Sequence, residues 1–171
     1  MAYISPGPGT SSQIVLSIDT VASSTITGSP PTAIALGASA LVVPAIQDVT
    51  VNAANDVFTW SQLDSSAKQQ VATTSTNSLS MNIVVDDASF FGTTVAATQS
   101  GTVAEQGLLG LSRNKTPIAF TLKMRENASA DRIIKGQGYI TGLAPTVSAD
   151  APVWVSPITI TVTGEYLVAT S

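Results

Sequence analysis

Few residues in this chain have the side chains that enzyme chemistry needs. There is no histidine and no cysteine. Their absence removes the Ser-His-Asp triad, the imidazole general base, the thiolate nucleophile and the Cys-based zinc sites together. Asp86-Asp87 pairs two carboxylates that could supply cation ligands or acid–base work. Adjacent residues at a strand end point to opposite sides, and no further acid follows at calcium-loop spacing, so a solvated turn is expected there. Gly136, Gly138 and Gly142 superficially resemble a phosphate-cradling loop. Their spacing departs from G-x-G-x-x-G and no helix pattern follows. They are expected inside a strand, where the missing side chains let another backbone or a large side chain approach. A glycosidase-like carboxylate pair is disfavoured, because only 11 acids are present and Trp60 and Trp154 are the only tryptophans available to stack on a sugar. Asn114-Lys115-Thr116 and Asn127-Ala128-Ser129 are glycosylation sequons by pattern alone. No catalytic residue, cofactor or metal ligand is expected.

The elements around these residues read as strands. The chain has 171 residues, 44% of them apolar, which suits one domain with its own core. The first base is Lys68, so the basic n-region of a signal peptide is lacking. The longest apolar run, residues 38–46, is far short of the ~20 residues that span a bilayer, and it contains Pro44. A cytoplasmically made chain without a membrane segment is expected. Residues 1–12 read as an extended arm. Strand alternation then appears in residues 13–19 (Ile14, Leu16 and Ile18 on one face), and short strands are expected at 25–27, 32–36 and 40–43. Residues 45–80 read as a long extended loop or a hairpin, with Phe58 and Trp60 alternating inside it; such segments are usually functional. Leu79, Met81, Ile83 and Val85 form the next apolar face, and residues 86–92 follow as a turn. Thr102 to Asn114 is the helix candidate: Thr102 and Glu105 fit a capping box, Ala104, Leu108 and Leu111 form a stripe, and Pro117 prevents continuation. Strands follow at 118–125, 133–143 and 153–163, with Pro157 marking a bulge or edge and a short tail after Gly164. The fold class expected is all-β with one short helix, a sandwich or barrel.

Charge is scarce and unevenly placed. Charged residues are 11% of the chain against roughly 25% in an average domain. Residues 1–67 hold Asp19, Asp48, Asp56 and Asp64 and no base, whereas Arg113, Lys115, Lys123, Arg125, Arg132 and Lys135 lie within 113–135. Acidic and basic surfaces on one chain suit head-to-tail association with identical neighbours, which gives rings or filaments. A subunit that buries its surface in an assembly also needs less charge for solubility.

Three runs then carry a resemblance: residues 89–92 (Ser-Phe-Phe-Gly), residues 102–122 from Thr102 through the Asn114-Lys115-Thr116-Pro117 turn to Leu122, and residues 136–164 from Gly136 through Asp150-Ala151-Pro152-Val153 to Thr163-Gly164. Their order over residues 79–166 resembles tail tube proteins of tailed bacteriophages, related to the tube protein of type VI secretion and other contractile injection systems. The resemblance implies a β-domain over 13–171 whose strands join a hexameric inner barrel, with rings stacked helically into a virion tail tube that delivers DNA into a bacterial host. It also implies assembly in the host cytoplasm alongside a tape-measure protein and sheath or tail-terminator or baseplate proteins. Double-stranded DNA would transit the lumen without specific binding, as the acidic balance allows. On this reading the contacts between subunits or rings fall to Asp48, Asp56, Phe58, Trp60, Asp64, Arg113, Lys115, Lys123, Arg125, Arg132 and Lys135. The competing reading is a capsid decoration or other virion β-domain, which would not form filaments.

Overall fold

The computed structural model describes residues 14–43, 45–61, 67–94, 98–125, 131–149 and 151–170. The expected arm 1–12 and Asp64 lie outside them. The strands are β1 (Ile14–Thr20), β2 (Thr25–Thr27), β3 (Ala33–Ala35), β4 (Leu41–Val43), β5 (Ile46–Ser61), β6 (Lys68–Val84), β7 (Ile118–Arg125), β8 (Asp131–Leu143), β9 (Thr146–Ser148), β10 (Ala151–Val162) and β11 (Leu167–Thr170). Two helices, α1 (Asp87–Phe91) and α2 (Val103–Arg113), lie between β6 and β7. The expectation of an all-β chain with a capped helix holds. β2 and β3 form a small hairpin, and all other strands join one sheet in the order β4-β1-β7-β8-β10-β6-β5, with β11 on β8 and β9 on β10.

Chain connectivity shows how this sheet closes. β4 and β5 are its opposite edges, yet only two residues separate Val43 from Ile46. Three Cα steps span at most about 11 Å, so the sheet must curl until the end of β4 lies near the start of β5, although the two edges do not pair. Both edges then share one core: Val43 is buried, and Ile46 and Val49 pack against the same cluster. Most of the alternating residues expected to face inward do so, with Leu16, Ile18, Leu79, Ile83, Ile118, Phe120 and Leu122 fully buried, whereas Ile14 at the start of β1 is exposed and Val85 and Met124 are half-buried. α2 closes this core with Leu108 and Leu111, and burying such a side chain contributes roughly 1.5–3 kcal/mol.

The helix boundaries were legible, but its buried face was not. Thr102 N–H donates to Glu105 Oε2 at 2.7 Å and Glu105 N–H to Thr102 Oγ1 at 3.3 Å, so both halves of the capping box form. Ala104 is nevertheless exposed and Val103 buried. The cause is Gly107, whose φ of 62° and ψ of 177° break the helical path and rotate the first turn. The expected turn at 86–92 is also corrected. Asp86 accepts from Ser89 N–H at 3.1 Å and Ser89 Oγ at 2.9 Å and so caps α1. Gly92 ends α1 and crosses Gly107. A Cβ on Gly92 would lie 2.3 Å from the Glu105 carbonyl oxygen, and one on Gly107 would lie 2.3 Å from the Gly92 nitrogen.

The cap carboxylates predict an acid response. The Ser89 N–H and hydroxyl hold Asp86 below the usual carboxylate range, and the Thr102 N–H and hydroxyl do the same for Glu105. A depressed carboxylate stabilises the fold above its ordinary range and loses that contribution as pH falls through the lowered value. Melts between about pH 6 and about pH 3 should therefore show a smaller acid-side loss in Asp86→Asn/Glu105→Gln than in the parent. Equal losses would count against the caps.

Gly136 admits the Phe120 ring and Gly138 the Thr161 backbone, the close approaches expected of them. Pro157 lies where β10 passes from Val155, paired to β9, to Ile158, paired to β8. The tail after Gly164 is a strand, β11. Asp19, grouped with the surface acids from sequence, is buried: it accepts from Thr20 N–H and Gly37 N–H, both at 2.8 Å, and holds the β3–β4 loop.

Candidate self-assembly surface

β5 and β6 settle the choice between loop and hairpin. They pair from Ile46↔Ile83 out to Ser61↔Lys68, yet β10 covers β6 only from Asn77 to Val84. The nine residues from Lys68 to Thr76 therefore run beyond the sheet, about 30 Å at strand rise. Every described residue of this arm from Thr50 to Ser61 and from Ala67 to Thr76 is exposed. A two-stranded ribbon alone is marginal in water. At the root, the Tyr166 hydroxyl lies 3.0 Å from the Asn52 carbonyl and 2.7 Å from the Ser78 carbonyl, and Asn77 Nδ2 donates to the Gly164 carbonyl at 2.8 Å. Nothing in the sequence marked these anchors.

The arm carries apolar groups that no described residue covers. Phe58 and Trp60 stack with ring centroids 5.8 Å apart, and Val71, directly opposite Phe58, shares their face. Phe58 is 58% exposed. A bulge opposite Asp56 turns the ribbon, and Thr74 Oγ1 donates to the Asp56 carboxylate at 3.1 Å. Asp48, nearer the root, accepts from Asn82 N–H at 3.0 Å and Asn82 Nδ2 at 2.7 Å. At the other end of the strands, β9 and the start of β10 overhang Val84 and expose Val147, Val153 and Trp154. Among the described residues the outer edge of β5 is unpaired, a form that monomeric proteins normally blunt.

The basic residues expected at contacts fall on β7, β8 and the end of α2. Lys123 Nζ is 2.6 Å from Asp131, and Lys135 Nζ donates to the Ile34 carbonyl at 3.0 Å. Arg132 is exposed on β8, and Arg113 Nε donates to Asn114 Oδ1 at 3.4 Å. Lys115, in the left-handed region at φ 53°, is exposed beside a groove of about 640 Å³ that is also lined by Ser112, Tyr139, Ile140, Thr141 and Thr161. The side chain of Arg125 lies outside the described residues. Among the described residues the arm thus carries Asp56 and Lys68, with Asp48 nearer its root, whereas bases predominate on the β7–β8–α2 surface. Sequence reading missed the groove because Tyr139 and Ser112 come together only through the fold. Among the described residues, no cluster of three or more His, Cys, Asp or Glu could hold a metal, and no helix is long and apolar enough to cross a membrane.

Three solved structures share this fold over nearly the whole chain. The SPP1 tail tube matches with a TM-score of 0.62 at 13% identity, covering 96% of this chain and 80% of that one. A chain of the native gene transfer agent virion matches with a TM-score of 0.57 at 8% identity, covering 94% and 98%. A chain of the tail of an empty gene transfer agent particle, refined with C6 symmetry, matches with a TM-score of 0.59 at 10% identity, again covering 94% and 98%. No protein-family model and no curated protein matches by sequence.

Proposed function

We propose that this chain is the repeating structural subunit of a phage-type tail tube, forming hexameric rings that stack into a hollow conduit. One observation carries the reading: a fold shared with tail-tube structures over nearly the whole chain leaves, among the described residues, an open strand edge and an uncovered apolar arm. Neighbouring copies would supply the missing partners. Strand pairing between copies would remove the β5 edge and complete an inner barrel, and the arm would reach an adjacent subunit or ring. Asp48, Asp56, Phe58, Trp60 and Asp64 on one side, with Arg113, Lys115, Lys123, Arg125, Arg132 and Lys135 on the other, are the contact residues of this reading.

Such a tube would sit in the virion tail and be assembled in the host cytoplasm. A tape-measure protein, and sheath or tail-terminator or baseplate proteins, are the partners implied by this reading. Six copies would carry a net charge of −24, which disfavours adhesion of a transiting DNA backbone. The internal partners of Lys123 and Lys135 support this low-adhesion surface. An assembled lumen lined chiefly by Lys123, Arg125, Arg132 and Lys135 would overturn that part of the proposal.

Electron microscopy of the purified chain tests the whole reading. Rings or hollow tubes are expected. Compact monomers persisting at high concentration would refute it.

A further inference from the structure

We propose that the arm of one copy seats its Phe58–Trp60 face in the Lys115 groove of a second copy, with Asp56 of the arm pairing with Lys115. This rests on the tube reading and deepens it by naming the receptor. The arm presents two stacked aromatic rings that the subunit leaves in water. The groove, at about 640 Å³, offers the exposed ring of Tyr139, the hydroxyls of Thr141 and Thr161, and one cation.

The groove's position explains why it stays open. β7 pairs with β8 only up to Ile118↔Gly138, so residues 139–141 have no strand on that side. Ser112 at the end of α2 takes up part of the edge by donating to the Ile140 carbonyl at 3.3 Å. Lys115 projects beside this gap, exposed, and makes no side-chain bond among the described residues. Across the contact, the Asp56 carboxylate accepts from a hydroxyl and makes no ion pair among the described residues. The charges are opposite, and an arm that runs out beyond its own sheet reaches a neighbour's groove more readily than its own. Arm-to-groove contacts are heterologous, so each copy both gives and receives, and the series continues into a filament.

Charge reversal supplies the test. Asp56→Lys and Lys115→Asp should each raise the threshold concentration for assembly at least about tenfold, and the double variant should return it to within a few-fold of the parent. Aspartate tolerates the left-handed backbone at 115, and both sites are exposed, so folding is preserved. The cysteine-free chain allows a second readout: Trp60→Cys/Tyr139→Cys should give a disulfide-linked ladder on oxidation, whereas either single variant should stop at dimers. Single reversals that assemble like the parent, a double variant no better than the worse single, or no ladder from an assembling protein would overturn the arm-to-groove contact and leave the tube reading standing. A parent chain that never assembles would overturn both.

Discussion

Replacing residues 54–76 with Asn-Gly should yield a folded subunit that no longer forms tubes. The change joins Ala53 to its partner Asn77 through a two-residue hairpin turn. It removes no core residue, since the buried part of β6 begins at Asn77 and the apolar cluster at Leu79. The Tyr166 anchors to Asn52 and Ser78 also stay. Shortening a loop costs little in closure entropy, so the melting temperature should stay within about 3 °C of the parent. Assembly should weaken by at least about a hundredfold, because the Phe58, Trp60 and Val71 surface and Asp56 go together. Sedimentation and electron microscopy would show rings or single subunits. Full-length tubes from this variant would show that the arm plays no part in stacking.

Alanine at Gly92 or Gly107 should be strongly destabilising. Both glycines have positive φ, at 78° and 62°. Gly107 combines this with a ψ of 177°, a region essentially closed to other residues. Each added Cβ would also meet backbone rather than a yielding side chain, at 2.3 Å. The strain alone costs about 1–3 kcal/mol, and separating the two helices to relieve the clash exposes part of the Leu108 and Leu111 contact. A loss of about 3 kcal/mol corresponds to a fall of roughly 6–12 °C in melting temperature for a domain of this size. Alanine at Gly164 is the control, because its φ of 85° is strained but its Cβ would meet nothing within 4 Å. A Gly107→Ala subunit that melts with the Gly164→Ala control would show that the crossing yields without cost.

The arm could be located from sequence because residues 45–80 lack a continuous apolar face while still carrying Phe58 and Trp60. Whether they formed a loop or a ribbon was open, since that depends on pairing between Ile46–Ser61 and Lys68–Val84 and on where β10 stops covering β6. The glycine crossing was invisible. Gly107 sits inside a good helical pattern with a complete capping box, and only contact with Gly92, fifteen positions earlier, requires its conformation. Ala104 was placed on the buried stripe for the same reason: an uninterrupted period of 3.6 assumes an uninterrupted helix.

The sequence by itself determined what depends on neighbours in the chain. That includes strand alternation at Leu16 and Ile18, at Leu79 to Ile83 and at Ile118 to Leu122, the Thr102–Glu105 cap, and the glycines that open β8 to Phe120 and Thr161. These features follow from side-chain period and backbone sterics over a few residues. Tertiary structure alone decided what depends on residues far apart. The rolled sheet follows from two edges joined by residues 44–45, the burial of Asp19 from a loop eighteen positions away, and the open groove from a strand that ends one register short of Tyr139. Charge placement lies between the two. Its imbalance is written in the composition, but only the fold puts Asp56 on a projecting ribbon and Lys115 beside a gap, so that their attraction can be satisfied by another copy of the chain.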